Sequence, residues 1–85
     1  MKLTGKSGRL MVGGREAAAL ADWTLEPREF GGNDIVASVL SRDDYWMEHG
    51  EGFALVLDIG ARERTYKDIT VHDNGTLMNI KTREA

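Results

Sequence analysis

Hydrophobic positions along this chain alternate with polar ones more often than they recur every third or fourth residue. The alternation is plainest from Phe53 to Gly60. Phe53, Leu55, Leu57 and Ile59 take one face there, and Ala54, Val56, Asp58 and Gly60 the other. Successive side chains of an extended chain point to opposite faces, so this spacing predicts a strand with one buried side. The harder case is GGREAAALADWTLEP, Gly13 to Pro27, whose alanines and acids have helical propensity. Its odd positions, Ala17, Ala19, Ala21, Trp23 and Leu25, are all apolar. Its even positions, Glu16, Ala18, Leu20, Asp22, Thr24 and Glu26, are mostly polar. A helix would bring Ala17, Leu20, Ala21 and Thr24 together and strand Trp23 and Leu25 on other faces. The period of two favours a strand, with a helix over 16–23 as the competing reading.

Other segments follow the same logic. Leu10, Met11 and Val12 form a short strand, and Gly13-Gly14 offers a turn that tolerates positive φ. Pro27 closes the second strand, because proline has no N–H for the ladder. The loop REFGGND follows, and its Phe30 is expected to pin it to the core. In DIVASVLS, Ile35, Ala37 and Val39 oppose Val36, Ser38 and Leu40, so both faces are partly apolar and the strand is central or covered. In RTYKDITVH, Thr65, Lys67, Ile69 and Val71 share a side, but Tyr66 breaks the phase. A bulge near Lys67 and Asp68 is expected. Asp73-Asn74-Gly75 is a hairpin turn, and Met78 and Ile80 face inward after it. The least regular stretch is SRDDYWMEHGEG, with one helical turn conceivable over 43–49, capped by Ser41 or Asp43 and stopped at Gly50.

These elements predict an all-β chain of about six strands, over 9–13, 15–26, 34–41, 53–60, 63–72 and 76–82. The expected architecture is a small antiparallel β-sandwich or a partly open barrel. Residues 1–8 read as a flexible N-terminal arm, 9–82 as a single β domain and 83–85 as a frayed C-terminus. With 85 residues the core must be thin, burying about 60–65% of the unfolded chain's surface. A partner often supplements such a core.

Composition narrows the chemistry. There is no cysteine, so neither a disulfide nor a thiolate metal site is available. His49 and His72, even with Glu48, Glu51 and Asp73, do not make a convincing ligand set, and no metal or cofactor is expected. The adjacent Asp43 and Asp44 read as a cap or turn, not as an acid–base pair. Ser7, Ser38 and Ser41 lack a nucleophile-elbow context. GKSG, Gly5 to Gly8, lacks the upstream glycine and strand of a phosphate loop. No catalytic residue is expected. The formal charge of −3 is mild and the basic residues are scattered. Arg62, Arg64 and Lys67 lie near one hairpin, but Glu63, Asp68 and Asp73 are interleaved with them, so specific nucleic-acid binding is not expected. No apolar run follows Lys2 and Lys6 or nears the roughly 18 residues of a membrane span, so neither a secretory leader nor a membrane role is expected. Trp23 and Phe53 read as core. Tyr45 and Trp46, on an irregular loop that Met47 makes still more apolar, read equally as an interface anchor or as a core plug.

Two segments carry a resemblance. SGRLMVGGREAAALADWTLEP and FALVLDIGARERTYKDITVHDNG resemble the paired strands of phage tail-tube and related small virion tail or connector proteins. In that family a short strand and small turn lead into a strand ending in a motif like Trp23-Thr24-Leu25. Tube subunits are usually longer, so a small tail-completion or connector protein of phage or prophage fits better. The resemblance implies a non-enzymatic structural role, assembly into an oligomer or with other virion proteins through sheet edges and a loop whose Tyr45, Trp46 and Met47 would be the interface, and a place in the virion or, during assembly, the host cytoplasm. The other reading is a small binding module, such as an oligonucleotide-binding-like barrel or a regulatory adaptor.

Overall fold

The computed structural model describes residues 2–43 and 53–83. Within them the chain forms seven strands and no helix: β1 (Leu3–Val12), β2 (Arg15–Pro27), β3 (Asn33–Arg42), β4 (Phe53–Ile59), β5 (Arg62–Tyr66), β6 (Ile69–Asp73) and β7 (Leu77–Thr82). The strand reading of Ala17–Leu25 therefore holds over the helical one. All seven lie in one antiparallel sheet of order β5-β4-β1-β2-β3-β7-β6. There is one sheet and not two, so the architecture is the open-barrel alternative and not the sandwich.

The order dictates the curvature. β5 and β6 are the two ends of the sheet, yet only Lys67 and Asp68 separate them in sequence. Three Cα–Cα steps from Tyr66 to Ile69 reach at most about 11 Å. A flat sheet would hold the outer strands about 29 Å apart, six gaps of about 4.8 Å. The sheet must curl until its ends meet at this corner, and the result is a half-barrel. Expected as one strand with a bulge, residues 63–72 are instead two strands on opposite edges. The phase break at Tyr66 was legible. Its cause is a crossing of the seam: Tyr66 is buried at the end of β5, and Ile69 and Val71 turn back onto the core from β6.

Bulges help the sheet to bend, because an unpaired residue increases local twist. Ala17 is extra against β1, Leu40 against β2, and Asp22 against β3. Asp22 is the single non-glycine residue described with positive φ, 47°. Aspartate tolerates this left-handed region better than most residues. The bulge at Asp22 also corrects the predicted face of β2. Ala18 and Leu20 point to the core before it, Trp23 and Leu25 after it, while Ala19 and Ala21 are half-buried and outside the core cluster.

The turns match their sequences. Gly13 and Gly14 take φ of 58° and 82° between the paired Val12 and Arg15. Gly60 takes 64° between Ile59 and Arg62. Asp73 accepts the Gly75 N–H at 2.8 Å and Asn74 accepts that of Leu77 at 2.8 Å, closing the β6–β7 hairpin. Leu10, Leu20, Trp23, Ile35, Leu55, Leu57, Met78 and Ile80 make up most of the core, with Phe53 packed at its side.

The terminal segments differ from expectation. Residues 3–8 are not an arm, since β1 begins at Leu3, and Leu3, Thr4 and Gly5 pair with Leu25, Thr24 and Trp23. The reason is Gly5. A Cβ there would fall inside the Trp23 indole, so the bare backbone is the seat of that ring. The indole N–H donates to the Ser7 carbonyl at 2.8 Å. At the other end, Arg83 is tied by its N–H to the Asp68 carbonyl at 3.1 Å.

Candidate functional site

Two features of the described surface are candidate contact sites: the edges of the sheet at the seam, and the open end of the half-barrel.

Each terminal strand has a ladder on one side only. The edges differ in chemistry. On β5, Arg62, Glu63, Arg64 and Thr65 are all exposed, and short charged edges resist pairing. Glu63 accepts from Arg9 of β1 at 2.7 Å, and Asp58 of β4 accepts from Ser7 at 2.6 Å and lies 3.9 Å from Arg9. The hydrogen bond to Glu63, more than the Coulombic pull of Glu63 and Asp58, holds the Arg9 proton more tightly than usual. This charged ladder braces β1, β4 and β5 from outside. On β6, the run Ile69-Thr70-Val71-His72 is β-prone and carries no formal charge with His72 neutral. Thr70 and His72 are exposed. Among the two edges, β6 is the one suited to receive another strand.

The open end is built around Arg28. Its Nε donates to the Gly31 carbonyl at 3.2 Å. One Nη donates to the Asn33 carbonyl at 3.3 Å and to Asp34 Oδ1 at 3.1 Å, and the other to the Thr82 carbonyl at 2.7 Å. The Arg28 N–H donates to the Gly32 carbonyl at 2.9 Å. Asn33 and Thr82, both buried, are joined by bonds of 3.1 and 3.2 Å to the Thr82 hydroxyl. Gly31 and Gly32 turn the loop at φ of 103° and 79°. A side chain at Gly32 would collide with the Thr82 carbonyl and the Arg28 guanidinium.

This loop overturns one expectation. Phe30 does not pin it to the core; it is 96% exposed at the tip, and the guanidinium of Arg28 does the pinning. Beside it lies a hollow of about 250 Å³ lined by Leu3, Leu25, Pro27, Gly32, Arg64 and Tyr66, among others. The Arg64 guanidinium lies 5.0 Å from the centre of the Tyr66 ring. A second hollow of about 280 Å³ is lined by Arg28, Asp68, Thr70, Lys81 and Arg83. Its cations are partly spent, Arg28 on carbonyls and Arg83 on Asp68 at 4.0 Å.

Tyr45, Trp46 and Met47, the interface residues expected from sequence, lie outside the described residues, as does nearly all of the turn expected over 43–49. Asp43 itself pairs with Arg15 at 2.6 Å, and its N–H donates to the Ala17 carbonyl at 2.7 Å. Asp73 pairs with Arg42 at 3.1 Å while it closes its turn. The described residues hold no cluster of three or more histidines, cysteines and acids, and no helix long and apolar enough to cross a membrane. Sequence reasoning missed Phe30 as a surface residue and Arg28 as its anchor. The signal available was the Gly31-Gly32 pair, which marks a chain reversal that carries Phe30 away from the sheet.

No protein-family model, curated protein or solved structure matches the chain.

Proposed function

We propose that this chain is a non-enzymatic structural protein of a phage or prophage virion, a tail-assembly or connector component that works by oligomerisation. The observation that carries the reading is the β6 edge at the seam of the half-barrel, which among the described residues has a ladder on one side only. The resemblance of Ser7–Pro27 and Phe53–Gly75 to virion tail proteins supplies the biological setting. The mechanism is strand addition: main-chain groups of β6 pair with a strand of a neighbouring subunit, and the exposed Thr70 and His72 side chains meet that strand's side chains. A thin core favours the same outcome, since a neighbour contributes burial that a small domain lacks.

The test is light scattering coupled to size exclusion, on the wild type and a Thr70→Lys/His72→Lys variant. Both side chains are exposed, so the fold should survive, while two cations on the edge oppose pairing. The wild type is expected to form assemblies that the variant loses. Assemblies unchanged in the variant would remove β6 from the mechanism. Salt-sensitive capture of single-stranded DNA by the wild type would favour the binding-module reading instead.

A further inference from the structure

We infer that a second copy of this chain docks on the open end of the half-barrel, each copy seating its Phe30 in the other's hollow. This rests on the self-association reading and adds a contact distinct from the β6 edge. A phenyl ring held in water at 96% exposure on a loop fixed by one arginine's four hydrogen bonds is a preorganised anchor. The loop backbone is already fixed, so burial orders only the rotamers of the ring itself. The hollow is large enough: an apolar cavity of about 150 Å³ takes up benzene, and this one measures about 250 Å³.

The occupant follows from position and charge. Phe30 and the hollow share one patch, because Gly31, the next residue along the chain, lines the hollow together with Gly32. A knob beside a hollow on the same patch is self-complementary under a two-fold rotation, so two copies can exchange knobs. The charges agree. Glu29, exposed beside Phe30, travels with the knob, and Arg64 lines the hollow that receives it. Each exchange brings a carboxylate toward a guanidinium at the rim, where opposite charges guide register.

Sedimentation equilibrium on single and paired variants decides this. Phe30→Ser should leave the circular dichroism spectrum unchanged and raise the dissociation constant at least about tenfold. Glu29→Arg and Arg64→Glu should each weaken association, and the double reversal should recover most of it. Association that survives Phe30→Ser but is lost in Thr70→Lys/His72→Lys overturns this contact and leaves the edge reading standing. The opposite pattern supports this contact and overturns the edge. A double reversal that recovers nothing contradicts the exchanged geometry, and a wild type monomeric at every concentration contradicts both.

Discussion

Trp23 and Phe30 are seven positions apart, each placed by glycines, and they meet opposite fates. Trp23 is 1% exposed and lies on the bare backbone of Gly5, a partner on the neighbouring strand. Phe30 is 96% exposed because Gly31 and Gly32 turn the chain beneath it and Arg28 locks the turn. Glycine makes room for the first ring and aims the second outward. The contrast separates two placements of an aromatic side chain in a small domain: one ring is buried in the fold, and the other stands in solvent.

The comparison is sharpest when each ring is removed. Trp23→Ala should cost about 3–5 kcal/mol, the range for emptying a large buried aromatic site. The urea midpoint would report it, with the slope unchanged if unfolding remains two-state. A loss below about 1 kcal/mol would mean that the indole is not the centre of the core. Gly32→Ala comes next, at about 2–3 kcal/mol. A left-handed φ costs an ordinary residue about 1–2 kcal/mol, and the new methyl must displace the Thr82 carbonyl or the Arg28 guanidinium. Phe30→Ser should shift stability by less than about 0.5 kcal/mol, as exposed substitutions do. Measured on the monomer at low concentration, a larger loss would show that the ring packs on its own chain.

Much of the sheet was legible because it is local. Phe53–Ile59 shows its buried face by alternation, and Gly13-Gly14 and Asp73-Asn74-Gly75 announce their turns. What stayed hidden depends on distant partners. Gly5 looks like arm sequence until Trp23 is known to lie across it. The phase slip at Asp22 is invisible because the bulge is defined by β3, not by β2 alone. Lys67 and Asp68 read as a bulge because sequence spacing cannot show that the strands on either side of them lie at opposite ends of the sheet. Phe30 read as core because hydrophobicity alone does not tell a plug from an anchor. Of the site, Tyr45, Trp46 and Met47 lie outside the described residues, and the exposure of Phe30 was not legible because the Arg28 bonds that hold its loop reach as far as Thr82.

The central claim is that this protein acts by associating. Sedimentation velocity of the wild-type chain, from micromolar to millimolar concentration, tests it most directly. The sedimentation coefficient should rise with concentration, from that of a 9.4 kDa monomer to that of an assembly. A coefficient that stays at the monomer's value across the whole range would contradict the account.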